Sequence, residues 1–173
     1  RNFIIGLGGS ATNDGGIGML SALGAAFYKK DGKKAGIFGR DLMDLERADI
    51  SKMAGGLKDC RFKVACDVKN PLYGVSGASV VFGPQKGADE KTIQILDKAL
   101  FEYSILAEKA MGKNMAKAEG AGAAGGLGFA FIQFLNASLE PGIDLVLGIL
   151  EIEKYIKGAD IVVTGEGRID FQT

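Results

Sequence analysis

Short apolar runs alternate along this chain with longer segments in which apolar residues recur every three or four positions. A continuous apolar run predicts a buried strand, and the three-and-four spacing predicts a helix packed against strands. The chain opens with such a pair, a strand at Phe3–Leu7 and a helix from Gly18 to Tyr28. Near the other end, the β-branched run Ile161–Val163 predicts a buried parallel strand. The alternation indicates the α/β fold class.

The same patterns predict further elements between these ends. Phe62–Val68 is a strand candidate, and Asn70-Pro71 stops it because proline cannot donate to a strand ladder. A long helix is predicted from Asp89 to Met111, with Gly112 as its C-cap. The remaining predictions are a charged turn at 29–34, short helical turns up to 58, a short strand or buried turn at 79–82, and helices at 126–139 and 144–156.

Four glycine-dense blocks interrupt this pattern, at residues 6–16, 83–87, 120–128 and 164–170. The chain has 27 glycines but only 3 prolines, so the glycines are local features and not a sign of disorder. Because glycine lets the backbone come close to a bound group, such blocks at strand ends present N–H donors to an anion. The blocks therefore indicate an enzyme that handles phosphates.

Composition narrows the chemistry further. The chain has 21 basic residues (lysine and arginine) and 21 acidic residues (aspartate and glutamate). It therefore has no net charge that would attract nucleic acid or an anionic membrane. The absence of histidine excludes Ser-His-Asp and Cys-His catalysis and the commonest metal ligand. Proton transfer falls to carboxylate, lysine or tyrosine. We expect a cytoplasmic protein, since no secretory signal or long apolar stretch is present.

The third block contains the spacing G-x-G-x-x-G at 120–125, which is typical of dinucleotide-binding loops. Its context is wrong, because the preceding residues 114–119 are not a strand and Glu140, about twenty positions on, adjoins a proline turn. No Walker A loop occurs in the chain. Helix-on-sheet packing and ligand binding are both open for Gly125, Gly126 and Gly128.

Several charged residues in these regions have a structural and a functional interpretation. Asp14 precedes a predicted helix and is suited to capping it. Asp67 ends a predicted strand, where a base or Mg²⁺ ligand competes with a turn-forming aspartate. Lys86 is either an exposed surface lysine or a point charge brought to a phosphate on a stiff loop. A structural ion-pair turn is the alternative for Glu166, Arg168 and Asp170.

Taken together, the blocks resemble the glycerate kinase type 1 family. The matching segments are GLGGSATNDGGIGMLSALG at 6–24, ACDVKNPLYGVSGASVVFGPQKGA at 65–88, GAGAAGGLGFA at 120–130 and GADIVVTGEGRIDFQT at 158–173. The resemblance implies an α/β fold with a mixed sheet and flanking helices. It also implies that residues 1–173 form the central α/β domain of a longer protein, with edges near 1–28 and 158–173 that join a Rossmann-like domain. Most of that second domain, including segments with D-S-F-K and G-K motifs, would lie outside this chain.

The family's reaction transfers the γ-phosphoryl group of ATP to D-glycerate with Mg²⁺, and the resemblance implies the same substrate and cofactors here. Such chemistry needs donors and a cation for the phosphates, a metal and a carboxylate, all available without histidine. We assign catalytic roles to Asp67, Asp170 and Lys86, with Asp67 and Asp170 as the Mg²⁺ candidates. The candidate substrate- and phosphate-binding residues are Gly8, Gly9, Ser10, Thr12, Asp14, Asn70, Gly165, Glu166, Gly167 and Arg168.

Two alternatives stay open at this point. The protein could be a kinase for another small hydroxy acid, or a non-catalytic ligand-binding domain. The only partner we expect is the small-molecule substrate, with no nucleic acid or membrane, and a homodimer is kept as a candidate assembly. Because the family's cleft lies between two domains, we expect negligible kinase activity from residues 1–173 alone.

Overall fold

The computed structural model describes residues 1–165, and the chain divides into two compact units, Arg1–Gly142 and Ile143–Thr173. The described residues form a mixed α/β fold with three additional 3₁₀ turns, at Gly39–Leu42, Gly55–Asp59 and Pro84–Lys86. The strands are β1 (Asn2–Gly6), β2 (Ala26–Lys29), β3 (Leu45–Asp49), β4 (Arg61–Ala65) and β5 (Ser138–Glu140). The helices are α1 (Ile17–Ala22), α2 (Ala78–Phe82), α3 (Glu90–Met111), α4 (Ala123–Phe134), α5 (Gly142–Leu150) and α6 (Ile152–Ile156).

A parallel sheet with strand order β1-β4-β5 forms the centre of the first unit. The predicted strand at 62–68 forms as β4 but ends at Ala65. Its Phe62 and Val64 are buried while Arg61 and Lys63 are exposed. Helix α4 covers the apolar side of β4, where the rings of Phe62 and Phe131 lie 6.3 Å apart. This burial anchors the sheet in the core.

Strand β1 forms as predicted, but it is not buried. Within the described residues it pairs only with β4, and the side chains of Phe3 and Ile4 are 41% and 55% exposed. An apolar run cannot by itself distinguish a central strand from an edge strand, because the distinction depends on the neighbours.

The predicted helix from Gly18 to Tyr28 is wrong in its second half. Helix α1 ends at Ala22, and β2 pairs antiparallel with β3 in a separate two-stranded sheet. Gly24 makes the turn with a φ of 101°, and a Cβ atom there would overlap the carbonyl oxygen of Lys52. Aromatic residues at 27 and 28 favour a strand once this turn has ended the helix.

The long helix α3 is confirmed together with its predicted C-cap, and the structure adds an N-cap at Asp89. The side chain of Asp89 accepts a hydrogen bond of 2.8 Å from Thr92 N, and Gly112 ends the helix in the left-handed conformation. Its fully buried Tyr103 packs against Phe129 of α4 and Phe27 of β2, with ring centroids 5.5 Å and 6.0 Å apart. Helix α3 thereby joins the small sheet to α4.

Four other predictions need correction. Residues 78–82 form helix α2 instead of a strand or turn, residues 45–49 form β3 instead of a helical turn, and β5 occupies the end of the predicted helix at 126–139. The predicted helix at 144–156 is divided into α5 and α6 at Glu151, whose φ is 49°. These elements are 3 to 9 residues long, too short for periodicity to specify.

In the second unit, the predicted strand at Ile161–Val163 does not form. These three side chains are 80%, 58% and 89% exposed, and within residues 1–165 no strand pairs with them. A β-branched run becomes a strand only when a neighbour supplies ladder hydrogen bonds. No helix described here is both long enough and apolar enough to span a membrane.

Candidate functional site

The parallel sheet brings three loops to one edge, because the carboxyl ends of parallel strands lie together. The ladder continues beyond the strands, with Leu7 N donating to Ala65 O at 3.0 Å and Cys66 N donating to Glu140 O at 2.9 Å. The loop after β1 therefore begins beside the loop after β4, which in turn begins beside the end of β5. Ligand sites of α/β sheets occupy this edge.

The loop after β1 is open in its first part. Gly8 and Gly9 are exposed, and a Cβ atom on either would meet nothing within 4 Å. Ser10 is half-buried and Thr12 is exposed. Backbone in this arrangement leaves room for a bound anion to approach.

Lys86 connects the second glycine block to this loop. Its ammonium Nζ donates to Ser10 Oγ at 3.1 Å and to Thr12 O at 2.6 Å. The side chain is half-buried and held on the turn Pro84–Lys86, so it is not the freely exposed surface lysine of the structural interpretation. Burial lowers the pKa of Lys86, and the negative charge of Asp14 opposes that shift.

Asp14 makes the helix-capping contacts predicted from the sequence. Its Oδ1 accepts from N of Gly16, the residue just before α1, at 3.2 Å, and its Oδ2 accepts from Gly18 N in the first turn of α1 at 3.3 Å. Both carboxylate oxygens are thus engaged by backbone. Asp14 can act on the site through its charge while it fixes the end of the loop.

Asp67 lies exposed just after β4, at the same edge of the sheet. Its Oδ1 accepts a 2.8 Å hydrogen bond from Gly142 N, 75 positions away at the start of α5. The structural role is therefore a long-range cap and not the local turn considered from the sequence. Within residues 1–165, no group of three or more Asp, Glu or Cys side chains is placed to hold a metal.

The loop after β4 is held by hydrogen bonds of Asn70 and Asp97 that the sequence did not predict. Asn70 donates from Nδ2 to Ser76 O at 2.8 Å, so its side chain binds its own loop. Asp97 of α3 accepts from Gly74 N with both carboxylate oxygens, at 2.9 Å and 3.1 Å. The sequence offers no signal for Asp97, since a charged residue on a helix is ordinarily solvent-exposed.

The third glycine block is a packing element, which decides between the two interpretations considered from the sequence. Gly122 N donates to Asn70 O at 2.8 Å, and a Cβ atom on Gly122 would overlap Pro71 O. Gly15 N donates to Gly125 O at 2.9 Å. The block thus contacts the loop after β1 and the loop after β4.

The predicted residues of the fourth block are placed only in part. Gly165 is exposed, with nothing within 4 Å of its Cβ position. The structure does not describe the positions of Glu166, Gly167, Arg168 and Asp170, so their predicted roles stay predictions.

A cavity of about 980 Å³ lies at the opposite, amino-terminal ends of β4 and β5. Residues such as Lys58, Arg61, Phe62, Phe134 and Ser138 line it, and no described lining residue is a carboxylate. We place the candidate site at the other edge, where the open glycine loop, Lys86 and Asp67 lie, because phosphoryl transfer requires donors and a carboxylate.

The sequence profile of the glycerate kinase family matches residues 1–173. The chain belongs to the glycerate kinase family. It is 50% identical over its whole length to the glycerate kinase of Halalkalibacterium halodurans and 50% identical over 172 residues to the glycerate 2-kinase of Escherichia coli.

The family assignment extends to the fold. A crystal structure described as a glycerate kinase 2 from Salmonella typhimurium superposes with a TM-score of 0.91 at 48% identity, and the match covers 99% of this chain. The chain spans 46% of that structure and 45–46% of the two curated relatives. The predicted family and the α/β fold class are confirmed.

Proposed function

We propose that the protein containing this chain transfers the γ-phosphoryl group of ATP to D-glycerate. The observation that supports this most directly is the Lys86 ammonium, held by Ser10 Oγ and Thr12 O beside the open glycine loop. A fixed cation next to accessible backbone N–H groups suits the phosphates of a nucleotide. Family membership supports glycerate as the acceptor.

The residues would divide the work as follows. ATP would supply the transferred group, Gly8 and Gly9 would donate backbone N–H groups to its phosphates, and Lys86 would neutralise their charge. Asp67, just after the neighbouring strand β4, would use the carboxylate oxygen that is not bonded to Gly142 N to orient the glycerate hydroxyl. Of the two predicted Mg²⁺ ligands the structure describes only Asp67, so we derive no step through the metal.

The test is glycerate-dependent ADP release by the full-length gene product, compared with Lys86→Met and the control Lys91→Met. Lys91 is an exposed lysine on α3. We expect Lys86→Met to lower kcat/KM for ATP by about 10²-fold, and Lys91→Met to leave it unchanged. Equal activity of all three proteins would remove Lys86 from the site. Residues 1–173 alone should show negligible turnover in the same assay.

The product and the acceptor are tested separately. Since the Escherichia coli relative is named a glycerate 2-kinase, we propose 2-phosphoglycerate as the product. ³¹P NMR of the reaction mixture distinguishes it from 3-phosphoglycerate. A panel of small hydroxy acids tests the alternative acceptor, and ATP binding without turnover of any acid would instead support a ligand-binding domain.

A further inference from the structure

Three consecutive residues at the start of α4 have left-handed backbone. The φ angles of Ala124, Gly125 and Gly126 are 50°, 67° and 95°. Left-handed conformations are unfavourable for residues with a Cβ atom and persist where the surroundings enforce them. The segment therefore has a specific position to keep.

What surrounds the segment is the loop after β1. A Cβ atom on Gly125 would overlap Thr12 O and lie 2.6 Å from Asn13 Cα, and one on Gly126 would lie 2.7 Å from Gly15 Cα. Two hydrogen bonds join the segments, from Gly15 N to Gly125 O at 2.9 Å and from Thr12 Oγ1 to Ala124 O at 3.4 Å. Residues 12–15 thus pack directly against the backbone of residues 124–126, too close for a side chain at position 125 or 126.

The same carbonyl oxygen of Thr12 accepts the Lys86 ammonium at 2.6 Å. A methyl group at position 125 must displace Thr12 O, and Lys86 Nζ must then follow the oxygen or lose the bond. Since the other partner of the ammonium, Ser10 Oγ, belongs to the same loop, displacement of the loop disturbs both contacts.

We propose that Gly125 is a positioning residue, which fixes the Lys86 ammonium through the carbonyl oxygen of Thr12. The proposal deepens the function proposed above and rests on it for its catalytic consequence. Small displacements of a catalytic group cost as much as about 10²-fold in rate. Gly125 itself need not touch the substrate.

The first test compares Gly125→Ala with Gly112→Ala in the full-length gene product. The two glycines have nearly equal φ angles, 67° and 70°, but a Cβ atom on Gly112 meets nothing within 4 Å. Both variants place an alanine in the left-handed conformation, with a similar conformational cost. Only Gly125→Ala displaces Thr12. We expect kcat/KM for ATP to fall about 10- to 100-fold in Gly125→Ala and to stay within about twofold in Gly112→Ala.

A double-mutant cycle with Lys86→Met separates positioning from general structural damage. If Gly125 acts through Lys86, Gly125→Ala should lower kcat/KM by less than about twofold in the Lys86→Met protein. An undiminished loss in that protein would overturn the proposal, because damage unrelated to Lys86 multiplies with its removal.

A second readout needs no substrate. Competitive labelling with acetic anhydride, measured by mass spectrometry, compares the reactivity of Lys86 with that of Lys91. We expect Gly125→Ala to raise the reactivity of Lys86 several-fold and Gly112→Ala to leave it unchanged. Should Gly125→Ala fail to fold, Ala124→Gly relieves strain while loosening the same segment, and it should raise the reactivity about twofold.

The two readouts distinguish failure of this proposal from failure of the proposed function. If Gly125→Ala changes the reactivity of Lys86 but the wild-type protein phosphorylates no glycerate, the positioning role is retained and the kinase assignment is rejected. An unchanged reactivity in every folded variant of the segment would overturn the positioning role, whatever the activity of the wild-type protein.

Discussion

Two glycine-rich segments of this chain, the near end of the loop after β1 and the block at 120–128, have opposite surroundings. In the loop after β1, Cβ atoms on Gly8 and Gly9 would meet nothing within 4 Å. In the block at 120–128, Cβ atoms on Gly122, Gly125 and Gly128 would each lie under 3.0 Å from a backbone carbonyl oxygen. The first segment leaves space on its outer side for a ligand, and the second uses the same property to bring two loops together. Glycine content therefore identifies close approach, but not what approaches.

The boundary between open and crowded backbone runs through the loop after β1 itself. Beyond Thr12, a Cβ atom on Gly15 would lie 2.8 Å from the ring of Tyr103, and one on Gly16 would overlap Ala130. The loop is thus anchored at its far end and free at its near end. The packed far end therefore holds the glycine-rich near end in a fixed position, which favours preorganised binding.

The largest expected effect comes from a methyl group placed on the crowded side. In α4, Gly128→Ala would put a Cβ atom into Gly120 O, although alanine is favoured over glycine in helices by about 1 kcal/mol. We expect the free energy of unfolding to fall by about 2–3 kcal/mol, because overlap in a packed core outweighs propensity. Urea denaturation measures it, and a more stable variant would contradict the packing assignment.

The matching substitution on the open side should affect binding and not stability. Gly8→Ala should change the free energy of unfolding by less than about 0.5 kcal/mol and weaken ATP binding about tenfold, since the methyl group occupies the approach path. Gly55→Ala is the control, because its Cβ also meets nothing within 4 Å. Isothermal titration calorimetry measures the binding. Unchanged affinity in Gly8→Ala would place the phosphates elsewhere.

The pH dependence of binding sharpens the role of Lys86 on the open side. Burial lowers the pKa of this lysine, so its ammonium loses its proton at a lower pH than an exposed lysine does. We therefore expect KM for ATP to rise, by about fivefold, as the pH increases through values below the ordinary lysine pKa of about 10.4. Lys86→Arg keeps the charge and should remove the rise. A rise that persists in Lys86→Arg would come from another group.

The smallest expected effect concerns Tyr103, which lies under Gly15 on the crowded side. Its buried hydroxyl has no hydrogen-bond partner among the described residues, and burial raises its pKa well above the ordinary value, so it stays neutral. We expect Tyr103→Phe to leave stability unchanged or to raise it by up to about 1 kcal/mol. A clear loss in thermal unfolding would mean that the hydroxyl is bonded.

Gln133 provides the contrast for that experiment. This buried amide donates to Lys113 O at 2.6 Å and accepts from Met115 N at 2.9 Å. Gln133→Leu leaves both backbone groups without a partner, so a loss of about 1–3 kcal/mol is expected. The two substitutions together compare a satisfied with an unsatisfied buried polar group.

The parts of the fold that the sequence predicts are those specified locally. Helix α3 has a continuous apolar stripe, an aspartate cap and a glycine cap, all within its own sequence. The end of α1 depends instead on the contact of Gly24 with Lys52, 28 positions away by their numbers in the chain. Strand β5 has three residues and owes its existence to β4. Non-local pairing leaves no periodic signal.

The candidate site divides in the same way. The open loop after β1 could be predicted, because a short apolar run that ends in glycines indicates a strand followed by a loop, whereas the position of Lys86 beside that loop could not. The contact between Lys86 and Thr12 spans 74 positions, and the bond that engages Asp67 spans 75. Such distant partners determine which oxygen of a carboxylate accepts a hydrogen bond. They also determine which glycine packs against a loop.

The crowding around position 125 also governs how the gene can vary. Every amino acid except glycine carries a Cβ atom, so no amino-acid substitution at this position avoids overlap with Thr12 O. In a library of all single substitutions sorted for folded protein alone, positions 122, 125 and 128 should remain glycine, whereas position 8 should accept small residues. When the same library is sorted for growth on glycerate, position 8 should also remain glycine. The two selections together separate the requirements of the fold from those of the reaction.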